Sequence, residues 1–327
     1  MIAGREGLTR RGLLKGVLGG TAAGVLGGRA AAAATGRARV VRVESANVFS
    51  GEKRDPQVAA LMVAKGLMAL TGESAAELAW KRFFSPGQRV GLKINLLGRP
   101  FVYTAQEVTD AVAAGVISAG VRPADVIVWD RWKDHFAPTV YKLGRGTHGG
   151  SIEAGGRYDR ARALRSLLGE APIDTMASER TDVTLSLPVL KDHGISGVTL
   201  ALKNIAFGCF DHYRSAHDNG CDPFIADAYQ HYLRITKVPL IVLDATQGCY
   251  DGGPCPRDRA RIWHENAIYL ATDPVALDVI CRRLIMEKRA AARLPDTMRQ
   301  TRHIETAISR GLGIGDPARI DLVTITV

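Results

Sequence analysis

Between Leu185 and Phe207 the chain reads LSLPVLKDHGISGVTLALKNIAF, so Lys191, His193, Lys203 and Asn204 bracket one apolar run. A second lysine–amide pairing, Lys93-Ile94-Asn95, closes an earlier apolar run. An ammonium in a half-buried cleft costs free energy unless an anion faces it. Lys93, Asn95, Lys191, Lys203 and Asn204 are therefore read as ligands of a small carboxylate or phosphate. The bland alternative pairs the lysines with Asp130, Asp244, Asp273 or Asp278, because structural ion pairs imitate sites. In the ligand reading, Asp273 and Asp278 are counter-charges, and Gly252-Gly253 lets backbone approach closely. His193 precedes a glycine, a position open to acid–base work or metal ligation. With Lys191 it is the candidate for catalysis, the reaction being left open; the alternative is a solvent-facing loop histidine.

Directly downstream, Cys209, His212, His217 and Cys221 follow the order C-x2-H-x4-H-x3-C within 13 residues. Two thiolates and two imidazoles suit tetrahedral zinc, although structural zinc sites usually draw on separated knuckles. A Cys209–Cys221 disulfide competes, its loop being worth about 3 kcal/mol in the chain-entropy model. Cys249 and Cys255 offer a second pair, cross-pairing is open, and Cys281 belongs to an apolar helix face. This loop supports a rival function, metal- or redox-dependent; a third is non-catalytic binding or scaffolding. No C-x-x-C run occurs, so a ferredoxin-type iron–sulfur motif is absent. P-loop, G-x-S-x-G and H-E-x-x-H signatures are also missing, and no G-x-G-x-x-G leads from an expected strand into a helix, so a Rossmann site is not supported. The cofactor stays unspecified, with a metal ion as the one candidate.

The elements that must position these residues alternate along the chain. Strands are expected at 39–45, 89–94, 124–130, 182–187, 238–244, 266–271 and 319–327, several of them continuously apolar. Helices are expected at 55–70, where Asp55-Pro56 supplies cap and first turn, and at 104–119, with Thr104 and Glu107 as a capping box. Further helices are expected at 158–168, 223–235, from Asp273-Pro274 onward, and at 305–309. The glycine-rich stretch 131–156 reads as an exposed loop or short hairpin, and Pro188 releases a loop carrying Lys191, Asp192 and His193. This alternation predicts an α/β fold, a mostly parallel sheet covered by helices on both faces. Ligands of such sheets sit beyond the strand carboxyl ends. Lys93, Asn95, Asp130, Lys191, His193, Asp244 and Asp273 all fall there.

Composition bounds the partners. Hydrophobic residues make up 46% and charged residues 23% of the 327, ordinary for a globular core. The net charge is +10, but Arg5, Arg10, Arg11, Lys15 and Arg29 against Glu6 supply four of those charges. The remaining arginines are scattered and aromatics are 6%, which argues against a nucleic-acid stripe. Oligomeric state has no signature. Thr9 to Lys15 (TRRGLLK), the 13 residues Gly16 to Gly28 and the alanine run Ala30 to Ala34 form a twin-arginine signal over residues 1–34. The apolar segment is short against the roughly 20 residues needed to span a bilayer. The membrane is thus met only transiently, on export to a periplasmic or other extracytoplasmic space. Residues 38–327 then form a single domain.

Four motifs occur in order: VGLKINL (Val90 to Leu96) followed by Thr104, LPVLKDHGISGVTLALKN (Leu187 to Asn204), DATQGCYDGGP (Asp244 to Pro254) and ATDPVALD (Ala271 to Asp278). Together they resemble the domain-of-unknown-function 362 family over residues 85–285. The resemblance implies an α/β domain, frequently exported by the twin-arginine route. Some relatives carry a ferredoxin-like segment that this chain lacks.

Overall fold

In the Val126–Asp130 strand, Val126 and Val128 enter one apolar layer while Ile127 and Trp129 enter another. Val242 and Leu243 divide in the same way, as do Val40 and Val41. Such strands read as unbroken apolar runs because each face of the sheet has its own helical cover. The computed structural model describes residues 36–167 and 169–327. The expected signal, residues 1–34, lies outside the described residues.

The main sheet has 11 strands among the described residues. Its order is Ile320–Thr326, Ala38–Glu44, Ile262–Ala271, Ile241–Cys249, Val183–Ser186, Val90–Lys93, Val126–Asp130, Ser151–Ala154 and Gly144–Arg145. A branch formed by Val189–His193 and Gly197–Thr199 leaves from Ile241–Cys249. Val183–Ser186, Val90–Lys93, Val126–Asp130 and Ser151–Ala154 run parallel, and antiparallel pairs lie toward the edges and in the branch. The fold is α/β with a mostly parallel mixed sheet. Helices Pro56–Thr71 and Gln106–Ser118 bury Met62, Leu67, Val108 and Val112 on one face. Ala201–Ala206, Phe224–Ile235, Pro274–Ala291 and Arg302–Ser309 cover the other.

Local signals hold where the chain acts alone. Asp55 accepts from the backbone N–H groups of Gln57 and Val58, with Pro56 in the first turn, and Asp273 accepts from Ala276 ahead of Pro274. They fail where a distant partner intervenes. Thr104 does not cap the Gln106–Ser118 helix. Its hydroxyl accepts from the Asn95 backbone N–H and donates to Leu187 O, while Asp244 Oδ2 takes the Ala105 N–H at 2.7 Å. The helix expected at 158–168 is instead the strand Tyr158–Ser166, paired with Gly169–Asp174. Burying Ala163, Leu164, Ala171 and Ile173 against the second helical layer overrides the helix propensity of its Ala, Arg and Leu residues. The loop expected after Pro188 is the strand Val189–His193, hydrogen-bonded to Ile241–Cys249 past a bulge and to Gly197–Thr199. Lys191, Asp192 and His193 are consequently interior residues. Among the described residues no helix is long and apolar enough to cross a membrane.

Candidate functional site

Where the parallel strands end, a cavity of about 340 Å³ opens between the sheet and the Ala201–Ala206 helix. Its wall includes Lys93, Asn95, Asp130, His193, Lys203 and Asn204, so residues from two of the motifs and from the end of the Val126–Asp130 strand meet there. Arg131, Trp132, His135, Thr199, Phe207, Gly208, His212, His217 and Pro254 complete most of the lining.

Lys93 ends the Val90–Lys93 strand beside Asp130, which ends the neighbouring one. Its ammonium donates to Asp130 Oδ1 and to Ile94 O, both at 2.7 Å, 5.3 Å from the Trp129 ring centroid. Burial opposes charge on Asp130, yet the Lys93 ammonium and the Leu96 N–H hold this carboxyl well below the usual carboxylate range. This is a closed buried ion pair.

Lys191 is fully buried, does not line the cavity, and works through amides. It donates to Asn95 Oδ1 at 2.8 Å, Asn95 Nδ2 donates to Asn204 Oδ1 at 3.0 Å, and Asn204 Nδ2 donates to Ser186 Oγ and Lys93 O. A lysine ammonium can only donate, so this chain sets the orientation of both amides in turn. Burial pushes Lys191 down to about 7, against the fields of Cys255 and Asp130.

Lys203 has a different environment again. It projects from the Ala201–Ala206 helix with 5% of its surface exposed. Its Nζ donates to Ser196 Oγ at 2.9 Å, lies 3.6 Å from Cys221 Sγ, and sits 4.6 Å from the Phe207 ring centroid. Among the described residues no carboxylate pairs with it. Burial brings it down to about 8, with Cys221 acting in the opposite direction.

His193 Nδ1 accepts from the backbone N–H groups of Ile195 and Ser196, each at 3.1 Å. With that lone pair occupied the neutral ring carries its proton on Nε2, as a donor. Burial, then the charges of Lys203 and Lys191, push this imidazole down to about 2. It is neither a loop histidine facing solvent nor a base near neutral pH.

The other expected site residues divide. His212 and His217 line the cavity, their ring centroids 5.0 Å apart and both packed against Phe207. Burial lowers His212 to about 4. Cys209 lies in the core near Tyr232, its thiol pushed by burial up to about 12, and Cys221 lies against Lys203. The four are not gathered into one shell: among the described residues no group of three or more His, Cys, Asp or Glu side chains could hold a metal ion. Cys209, Cys221, Cys249, Cys255 and Cys281 are free thiols.

Asp273 and Asp278, expected as counter-charges, are helix caps instead. Asp273 takes the Ala276 and Ile314 N–H groups. Asp278 takes those of Ala201 and Leu202 at 2.8 and 3.1 Å, fixing the helix that carries Lys203 and Asn204, while burial pushes it up to about 8. Gly253 leaves room for Asp192 rather than a ligand, and Gly252 serves a left-handed turn with φ 86°. Gly253 N–H donates to Asp192 Oδ1 at 2.8 Å, and a Cβ there would stand 2.1 Å from Asp192 O.

Sequence reasoning missed Arg131, His135, Phe207 and Gly208. Arg131 immediately follows Asp130, so extending each polar strand end by one residue finds it. Its guanidinium bonds Tyr158 and Asp211 and stacks 4.3 Å from the Trp132 ring centroid. Gly208 has no local signal. A Cβ there would lie 2.2 Å from Asn204 O and 2.7 Å from Lys93 Nζ, so this close approach needs glycine.

The family model described as Domain of unknown function (DUF362) matches residues 90–283. No match is found among curated proteins. Among solved structures, a crystal structure of a Thermotoga maritima protein, a structural genomics target, is similar at 8% identity and a TM-score of 0.39. The similarity covers 75% of this chain and 61% of that one.

Proposed function

The chain belongs to the domain-of-unknown-function 362 family, and we propose that it binds a small anionic molecule, a carboxylate or phosphate, in the cavity at the strand carboxyl ends. The observation that supports this is Lys203, a nearly buried ammonium facing the cavity with a hydroxyl and a thiol where a carboxylate would be expected. Three cations line the wall, Lys93, Arg131 and Lys203, against the single carboxylate Asp130. His193 and His212 add no charge near neutral pH, since burial pushes them down to about 2 and about 4. Lys93 is matched by Asp130 and Arg131 by Asp211, so the unmatched positive charge is that of Lys203, in a partly desolvated space where an ion pair is stronger than in water. His193 contributes Nε2–H as a neutral donor, and Lys191 acts behind the wall by orienting Asn95 and Asn204. Acid–base work by His193 is replaced in this reading by hydrogen-bond donation.

Thermal melting in the presence of acetate, inorganic phosphate, pyruvate or lactate tests the reading. At least one should raise the melting temperature of the native chain in a saturable way. Lys203→Gln should fold and lose most of that rise, whereas Lys191→Met should lower intrinsic stability first. An equal rise in native and Lys203→Gln protein would overturn the assignment. We also propose export by the twin-arginine route, on the support of Thr9 to Lys15 and the apolar run after it.

A further inference from the structure

We propose that Lys203 is an amine nucleophile that condenses with the carbonyl group of a small 2-oxo acid or similar carbonyl-bearing anion bound in the cavity. This deepens the anion-binding reading and rests on it.

Three buried lysines surround one sheet end, and only their partners tell them apart. Lys93 is neutralised by Asp130 and could release a proton only at the expense of that pair. Lys191 is committed to Asn95 and stands behind the wall. Lys203 reaches the cavity, has no carboxylate partner among the described residues, and is flanked by Ser196, Cys221 and the face of Phe207. The Ser196 hydroxyl donates to Val198 O at 2.9 Å, so toward Lys203 it acts as an acceptor. A lysine desolvated beside an apolar ring, without a counter-ion, is the environment that favours the neutral and nucleophilic amine. Its lowered ionisation, to about 8, agrees with that geometry.

The chemistry balances with the groups present. The Lys203 nitrogen lone pair forms a bond to the carbonyl carbon, and the carbonyl π pair moves to oxygen. A proton from nitrogen passes to that oxygen through water. Uptake of one proton from solvent, replacing the one Lys203 gave up on becoming neutral, lets the hydroxyl leave as water and leaves a carbon–nitrogen double bond protonated at nitrogen, so the positive charge is regained. No oxidant or reductant takes part. His193 Nε2–H lines the same cavity and supplies a hydrogen bond to the carbonyl oxygen without giving up its proton. Lys93, paired with Asp130, and Arg131, paired with Asp211, remain as hydrogen-bond donors for the acid group while Lys203 is neutral.

Reductive trapping is the test. The full chain is incubated with pyruvate or glyoxylate and sodium cyanoborohydride, and intact mass and peptide mapping follow. The expected result is one reduced adduct per chain, on Lys203, lost in Lys203→Arg and never formed with lactate, which lacks the carbonyl. An adduct mapping to Lys191, or spread over surface lysines and retained in Lys203→Arg, would overturn the proposal. Because the site is mapped on the native chain, the conclusion stands even if Lys203→Arg folds poorly. If pyruvate and lactate stabilise the chain equally and no adduct forms, nucleophilic attack is refuted while anion binding survives. If neither stabilises it and no adduct forms, both readings fail.

Discussion

His193 and His303 belong to one physical class, imidazoles kept neutral by the interior. Both nitrogens of His303 are buried and have no hydrogen-bond partner among the described residues, and burial followed by the charge of Lys203 lowers it to about 3. In the unfolded chain both rings ionise near 6.5; in the fold they do so near 2 and 3. Below that unfolded value the unfolded chain binds protons that the fold refuses, so stability is full above pH 6.5 and falls as acid is added. The slope is up to about 1.4 kcal/mol per pH unit for each histidine. His303→Leu should therefore flatten the acid limb of a plot of unfolding free energy against pH. Removing an unpaired buried polar group, it should also leave stability near neutrality unchanged or raised. Urea melts across the acid range check both, and an unchanged slope would show that His303 is protonated in the fold.

Among elements, the Ala201–Ala206 helix depends on a residue distant in sequence. At six residues it is too short to persist in isolation. Asp278, from the Pro274–Ala291 helix, takes its first two N–H groups and stands in for a local cap. Asp278→Ala should cost about 1 to 3 kcal/mol by leaving those donors buried and unsatisfied. It should speed amide exchange across 201–206 more than across Phe224–Ile235, as hydrogen-exchange mass spectrometry would report. Asp244 plays the same part for Gln106–Ser118. Both aspartates were visible as polar strand-end or helix-start residues, but a sequence does not say whether such a carboxylate faces a ligand or a neighbouring helix. The Tyr158–Ser166 strand teaches the same lesson, since its helix-forming composition yields to pairing with Gly169–Asp174.

For the molecule as a whole, the parallel sheet brings the ends of separated segments to one edge, which is why Lys93, Asp130, His193 and Lys203 meet. The proposed export concerns the whole chain too, and the twin-arginine route makes a definite demand. Replacing both Arg10 and Arg11 by lysine should hold the chain on the cytoplasmic side, with cell fractionation as the readout; undiminished export would discard this route.

The amino-acid sequence by itself determined the fold class, because continuous apolar strands alternating with helices can be buried only in a sheet covered on both faces. It also marked Lys93, Asn95, His193, Lys203 and Asn204 as a group, because each closes an apolar run, although Lys203 and Asn204 lie on the Ala201–Ala206 helix rather than at the strand end expected of them. Only the tertiary structure decided how each of them, and Lys191, is partnered. Lys93 is neutralised by Asp130, Lys191 stands behind Asn95, His193 is locked as a donor, and Lys203 alone of the three lysines faces the cavity without a carboxylate. Asp273, Asp278 and Gly253 turned out to serve the fold, and Cys209 and Cys221 lie in the core. Charge, tautomer and reactivity are set by partners within a few ångströms, and those partners come from parts of the chain up to about a hundred residues away.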